Sequence, residues 1–226
     1  MRSALRGLPL VVAGLGLTAI CAGQAPPTTP PDEPAEEATL GLEASIYAYF
    51  PHGDRIYGQP TVAFDQGALH LEARYNYEDL KTGSFWIGWN TTFGGAPGAD
   101  STGDALRIDA TLMAGGVVGD AIKGVAPGYK LTATWKKFEL YAEGEYVVDV
   151  NDSQNDFLYN WAQLGFYPLD WLSFGFASQR TRVYQTGLDV QRGPYVSVSA
   201  HGVTMAVYAF NPDHHPTIVA ALAATF

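Results

Sequence analysis

The chain has 226 residues, enough for one domain, and no internal segment has the composition of a linker that would divide it. Its formal net charge of -10 at pH 7 argues against a nucleic acid or an anionic lipid as a partner, because both require a basic surface. The mean hydropathy of -0.03 is near zero and does not by itself show whether the fold is surrounded by water or by lipid.

Residues 1–23 are predicted to be a secretory signal peptide. Arg2 and Arg6 precede an apolar run over 8–20, and the small residues Ala22 and Gly23 follow it. This order is typical of a cleaved signal, and the apolar run is too short for a membrane span. The only cysteine, Cys21, lies inside the segment, so we expect neither disulfides nor thiol catalysis in the mature chain.

Residues 24–40 are rich in proline and acid, and they are predicted to be a disordered leader. The stretch carries too little apolar surface to form a packed structure. A solvated spacer is the simpler interpretation, and contact with another component of the cell envelope is the alternative.

From residue 41 onward, apolar and polar residues alternate with a period of two, which predicts β-strands rather than helices. The clearest segment is 68–77, where His70, Glu72, Arg74 and Asn76 share one face and Tyr77 is predicted to lie on the opposite, apolar face. About twelve strands are predicted, near residues 41–50, 59–65, 68–78, 84–93, 104–115, 126–136, 138–150, 157–167, 171–182, 193–200, 203–210 and 217–226.

Four short connections predict hairpin registers, since residues that face each other should agree in polarity. The turns are placed at 66–67, 136–137, 168–170 and 201–202. The pairs predicted to face each other are, in turn order, Phe64 with Leu69, Lys130 with Glu143, Phe166 with Leu172, and Ala200 with Val203.

The last segment alternates strictly back from Phe226, with Ala224, Leu222, Ala220 and Ile218 on one face. A strand of this length that ends on an aromatic residue resembles the last strand of a Gram-negative outer-membrane β-barrel. The resemblance implies an all-β fold, a single antiparallel up-and-down transmembrane β-barrel over 41–226, located in the cell outer membrane and surrounded by its lipid. It also implies that the barrel-assembly machinery recognises the C-terminal strand through Phe226.

The resemblance places the tight turns and both chain ends on the periplasmic side. Longer external loops are predicted opposite, near residues 51–58, 116–125, 151–156, 183–192 and 211–216. Aromatic residues beside the tight turns fit an interfacial girdle: Trp135, Phe138, Tyr167, Trp171 and Phe226. Two connections fit less well, since 94–103 is long for a periplasmic turn and 79–82 is short for an external loop. The alternative fold is a soluble barrel of lipocalin type, which inverts the faces.

In the membrane barrel the polar face points into the lumen, and acids outnumber bases there. Such a lumen would favour cations and neutral solutes over anions. The alternative is that the charges neutralise one another and fill the interior. The residues predicted to line a solute path are Glu72, Arg74, Trp86, Arg107, Asp109, Lys130, Glu139, Glu143, Glu145 and Trp161.

The function predicted first is a narrow channel or binding lumen for small polar solutes, without catalysis, cofactor or metal. Inward aromatics could stack on sugar rings, although interior packing is their commoner role. One alternative is a closed structural or receptor barrel that acts through its external loops. Another is a rim hydrolase, for which His52, Asp54 and residues 213–215 offer acid–base or metal-binding groups.

Overall fold

A computed structural model of the chain describes residues 40–95, 105–120, 122–183, 189–213 and 215–226. The predicted signal peptide and almost all of the predicted leader lie outside the described residues. Within the described ranges, no helix has the length and apolarity needed to cross a membrane.

Twelve antiparallel strands follow one another around a closed barrel, and the last strand pairs with the first. The strands are β1 (Leu40–Pro51), β2 (Tyr57–Gln66), β3 (Leu69–Tyr75), β4 (Thr82–Gly94), β5 (Arg107–Gly119), β6 (Lys123–Trp135), β7 (Phe138–Asp149), β8 (Phe157–Leu169), β9 (Leu172–Val183), β10 (Asp189–Ala200), β11 (Val203–Phe210) and β12 (Thr217–Thr225). The predicted fold class and strand number are therefore confirmed.

The outer surface of the barrel is apolar and its interior holds the charges. Trp89 and Leu112 are 67% and 68% exposed, whereas Glu72 and Arg74 are 2% and 5% exposed. A soluble barrel would bury the first pair and expose the second. The sidedness is that of a barrel whose outside is solvated by hydrocarbon, so the fold is a transmembrane β-barrel.

Two of the four predicted hairpin registers are confirmed and two are wrong by two residues. Ala200 faces Val203 and Lys130 faces Glu143, as predicted. In contrast, Phe64 faces Leu71 and Phe166 faces Phe174, with an irregularity in β8 between Phe166 and Leu169. A slip of two residues keeps every side chain on its own face, so agreement in polarity does not distinguish these registers.

The structure corrects the predicted girdle at Tyr167, which shares the inward parity of Gln163 on β8. Trp135, Phe138, Trp171 and Phe226 are exposed on the outside beside the short turns. Tyr167 is not part of this belt, because its hydroxyl donates to Glu139 Oε1 inside the barrel at 2.9 Å.

Tyr77 points into the lumen, whereas alternation predicts it on the lipid-facing side. Alternation ends at Tyr75, because the backbone of Asn76 is left-handed, with φ of 56°. The Tyr77 ring then packs under the Arg74 guanidinium, 4.2 Å from ring centroid to Cζ. A single change of backbone conformation thus moves an aromatic side chain across the wall.

The connections at the two barrel ends differ from the prediction at one place. The residues around 116–125, expected to form a long external loop, mostly extend β5 and β6, and Gly119 N–H donates to Ile122 O across a tight turn. Most of the predicted long periplasmic connection, residues 96–104, lies outside the described residues.

Trp86 fills the interior only because the facing strand provides no side chain there. Trp86 is fully buried and pairs with Gly115 on β5. A Cβ atom at Gly115 would lie 2.4 Å from the indole ring, whereas one at the next residue, Gly116, would meet nothing within 4 Å. Adjacent glycines therefore face opposite environments, one against the packed interior and one towards lipid.

We expect Gly115→Val to destabilise the barrel by about 1–3 kcal/mol, because Trp86 must leave its position to make room. Gly116→Val, the matched control, should leave stability unchanged or raise it. Urea unfolding in lipid vesicles, followed by tryptophan fluorescence, measures both variants. Equal stability of the two variants would contradict the assigned packing.

Candidate solute path in the barrel lumen

The structure places all ten predicted path residues on the inward face of their strands. Several of them are cross-strand neighbours. Glu72 on β3 pairs with Trp86 on β4, and Glu143 on β7 pairs with Lys130 on one side and Trp161 on the other. Their position in the lumen is thus established, and their role as a path for solute stays a prediction.

Glu72 lies at the centre of an ion cluster on one wall of the lumen. Its carboxylate accepts hydrogen bonds from the Arg74 Nε and from the Lys130 ammonium, and its Oε2 lies 3.0 Å from His70 Nε2. The other ring nitrogen of His70 lies 2.8 Å from Asp65 Oδ1. Both nitrogens of this imidazole are therefore held by carboxylates.

Arg74 extends the cluster across the bore from β3 to β7. Its Nη1 donates to Glu145 Oε2 at 2.8 Å, and its guanidinium lies between the rings of Tyr77 and Trp86, 4.2 and 4.7 Å from their centroids. Three other strands separate β3 from β7 along this side of the wall, so the bridge runs through the lumen rather than along its surface.

Glu143 continues the polar wall one step along β7. Its two carboxylate oxygens accept from the hydroxyls of Tyr77 and Tyr141. Neither partner carries a positive charge, so the negative charge of Glu143 is not balanced by a directly bonded cation within the described part of the chain. Glu145 Oε1 is buried and has no hydrogen-bond partner among the described residues.

The opposite wall of the lumen is aromatic. Trp161 packs edge-on against Tyr47, Tyr208 and Phe210, with ring centroids 6.0, 5.2 and 5.4 Å apart, and Tyr195 stacks on Tyr208 at 5.3 Å. These rings come from β1, β8, β10 and β11. This aromatic cluster therefore lies mainly outside the strands that carry the ion cluster, although Tyr77, Trp86 and Tyr141 lie among the charged groups.

A cavity of about 380 Å³ opens at the external end of the lumen. Tyr49 and Tyr57 stack in it with centroids 4.7 Å apart, and amides of Gln179 and Gln191 bond to each other at 2.7 Å. Its lining residues are Tyr49, Tyr57, Gln59, Asn76, Tyr77, Glu78, Asp79, Leu80, Phe157, Tyr159, Gln179 and Gln191. We call this cavity the external vestibule.

The periplasmic end of the lumen is polar and reachable by water. Arg107 donates to Asp109 at 2.7 Å, and Thr92 donates to the same carboxylate at 2.6 Å. The side chains of Asp65 and Asp109 are 32% and 28% exposed. The middle of the lumen, where most side chains are buried, thus lies between two ends that are more accessible to water.

Sequence reasoning missed the vestibule. Gln59, Gln179 and Gln191 continue the inward parity of their strands, so extending the alternation to the strand ends would have found them. Alternation could not predict the inward position of Tyr77, because that position depends on the left-handed backbone conformation of Asn76.

The predicted rim group is only partly described. The rings of His52 and His215 lie 6.1 Å apart, and His214 lies outside the described residues. Among the described residues, no group of three potential metal ligands is present.

No protein-family model matches the sequence, and neither does any curated protein. Among solved structures, the KdgM porin matches with a TM-score of 0.52 at 7% identity, over 81% of this chain and 99% of that chain. The KdgM porin in complex with disordered oligogalacturonate matches with a TM-score of 0.50 at 7% identity, over 82% and 99%. At this identity the likeness shows the fold alone.

Fold and sidedness together define the class of this protein. It is a closed twelve-stranded β-barrel with an apolar outer surface, and its fold is similar to that of a porin. The predicted fold class is confirmed, and the outer membrane stays its predicted location.

We expect Glu72→Gln to lower the free energy of unfolding by about 3–5 kcal/mol, because it leaves the buried Arg74 with Glu145 alone and removes the carboxylate partner of the half-buried Lys130. Glu139→Gln is the matched control, since Glu139 accepts from a neutral hydroxyl that an amide oxygen can also serve, and it should cost less than about 1 kcal/mol. Urea titration in vesicles compares the two. A similar loss in both variants would show that the Glu72 ion pairs do not stabilise the fold.

Proposed function

We propose that the barrel is a narrow channel for small polar solutes that are neutral or cationic, and that it performs no catalytic step. The observation that carries the proposal is a polar, predominantly acidic wall that runs from the external vestibule to the periplasmic mouth. Solute would follow this wall, with the aromatic half of the lumen opposite it.

The net negative charge of the polar wall supports selectivity for cations over anions. Among the described strand residues, eight carboxylates and three permanent cations face inward. The carboxylates are Glu43, Asp65, Glu72, Asp109, Glu139, Glu143, Glu145 and Asp149, and the cations are Arg74, Arg107 and Lys130. A lumen with this balance attracts cations and opposes anions, and walls of low dielectric strengthen the effect.

Because the lumen is acidic, the proposed solute differs in charge from the one named for the solved porin. That structure holds oligogalacturonate, a chain of uronic acids and therefore a polyanion. An acidic lumen raises the free energy of such a chain, so the shared fold does not imply a shared solute. The tyrosines and amides of the vestibule suit a neutral, hydroxyl-rich molecule, which can stack on rings and exchange hydrogen bonds with amides.

The middle of the lumen limits solute size. At this level Glu143 and Trp161 face each other on the neighbouring strands β7 and β8, and the rings of Tyr141 and Tyr47 lie against them. Aromatic side chains of this kind narrow the bore, so we propose passage of molecules no larger than a small saccharide.

The absence of catalysis is part of the proposal and is supported by His70. A general base must reach the proton of a nucleophile, but both nitrogens of His70 already lie within 3.0 Å of carboxylate oxygens. His201 lies in a tight turn, away from the lumen.

Conductance in a planar lipid bilayer tests the channel. We expect small unitary currents with a reversal potential that shows preference for K⁺ over Cl⁻. Glu143→Gln should reduce that preference by about fivefold, the effect of removing a charge that contributes about 1 kcal/mol near 4 Å in water. Asp170→Asn removes an exposed charge from a periplasmic turn and is the matched control. Absence of unitary current from the folded barrel would instead favour a closed structural or receptor barrel.

We also propose that the C-terminal strand is the contact for the barrel-assembly machinery. Phe226 is 77% exposed on the outside, while its backbone N–H donates to Leu42 O at 2.9 Å. Its ring is thus free for a partner although its backbone is already fixed by the closing strand pair.

Deletion of Phe226 should reduce insertion into the outer membrane of cells while leaving unassisted refolding in detergent largely intact. Phe138→Ala, which removes an exposed aromatic from another periplasmic turn, is the control and should insert normally. The yield of heat-modifiable barrel in membrane fractions measures insertion. Normal insertion of the truncated chain would contradict the proposed recognition.

A further inference from the structure

Among the described strand residues, polar side chains on the lipid-facing surface cluster in one region. On β8, β9 and β10 the outward positions include Asn160, Ser178, Arg180 and Arg192, which we call the outer basic patch. Asn160 faces Arg180 and Ser178 faces Arg192 across neighbouring strands. The other outward strand positions that are described are almost all apolar or aromatic, so this clustering is not the general character of the belt.

The outer basic patch lies close to the external ends of its strands. Asn160, Arg180 and Arg192 are each three residues from the end of a strand, at Phe157, Val183 and Asp189 respectively. Three residues span about 10 Å along a strand, and less along the membrane normal because strands are tilted by about 45°. This depth corresponds to the boundary between headgroups and acyl chains of the outer leaflet.

A notch beside the patch gives it the shape of a binding site. Gly144 faces outward between Tyr129 and Asn160, and a Cβ there would lie 2.8 Å from the Tyr129 ring. Asn160 Nδ2 donates to the Tyr129 hydroxyl at 2.6 Å and to Glu143 O at 2.9 Å, which fixes both polar groups at the edge of the notch. The notch, about 350 Å³, is lined by Tyr129, Leu158, Tyr159, Asn160 and Arg180.

The charge of the patch is not compensated within the described chain. The side chains of Arg180 and Arg192 are exposed and make no hydrogen bond or ion pair with any described residue. A cation on the lipid face of a barrel is unfavourable at hydrocarbon depth and becomes acceptable near the interface, where anionic groups are within reach. Arginine in particular binds phosphate through paired N–H donors.

We propose that the outer basic patch binds the phosphate of a phosphorylated glycolipid in the outer leaflet. Arg180 and Arg192 would hold the phosphate oxygens, and the notch edged by Tyr129 and Asn160 would take the sugar that carries the phosphate. The overall charge of -10 argued against an anionic lipid. That sum is dominated by acids in the lumen and loops, which are on other surfaces, so the local charge decides recognition.

Native mass spectrometry of the refolded barrel in detergent tests the site with bis-phosphorylated lipid A as the probe. Wild type should retain lipid A, and the Arg180→Gln/Arg192→Gln variant should bind it about tenfold or more weakly. Lys123→Gln, which removes an exposed cation from the external end of β6, should bind like wild type. Heat-modifiable mobility on gels establishes that each variant is folded.

Two further probes distinguish the source of the phosphate. Dephosphorylated lipid A should bind to wild type as weakly as lipid A binds to the double variant, and millimolar inorganic phosphate should fail to displace lipid A. Undiminished lipid A binding by the double variant, or equal binding of the dephosphorylated lipid, would overturn the proposal. Full displacement by inorganic phosphate would overturn the assignment to a lipid.

Discussion

Closure of the backbone hydrogen-bond network is the constraint from which the other features follow. Within hydrocarbon each N–H and C=O must find a partner in the protein, and a sheet satisfies all of them only when its first and last strands pair. Here β1 and β12 pair from Glu43–Thr225 to Pro51–Thr217, and Phe226 N–H still reaches Leu42 O. Once the sheet is closed, strand alternation divides the side chains between hydrocarbon and lumen, which makes the barrel apolar outside and charged inside.

That division explains which parts of the molecule the sequence predicted well. Parity is set by a period of two, so the inward position of Glu72, Trp86 and Trp161 followed directly from alternation. Parity does not distinguish between two registers that differ by two residues. Phe64 therefore faces Leu71 and not the predicted Leu69. Parity also fails where the backbone leaves the extended conformation, as at Asn76, where Tyr77 changes sides. The bridge between Arg74 and Glu145 depends on the diameter of the closed barrel and had no local signal.

Acidic and basic side chains are concentrated on different surfaces of the barrel. The lumen holds eight carboxylates of the described strands, and the outer basic patch holds two arginines that form no ion pair with a described residue. The two sets lie on different strands, because the carboxylates are on β1, β2, β3, β5 and β7 and the arginines are on β9 and β10. Behind the outer basic patch the described lumen residues are the neutral Gln179 and Gln191, so the acidic part of the lumen and the basic part of the outer surface occupy different parts of the barrel wall.

The unequal walls of the lumen have a further consequence. Charged groups of β3, β6 and β7 face aromatic rings of β1, β8, β10 and β11, so the electric field at the narrow level points across the bore and not only along it. Such a field exerts a torque on a dipolar molecule. In the proposed channel, a dipolar solute at this level would turn its positive end towards the acidic strands and its less polar face towards the rings of β10 and β11, so orientation would matter as well as size and charge.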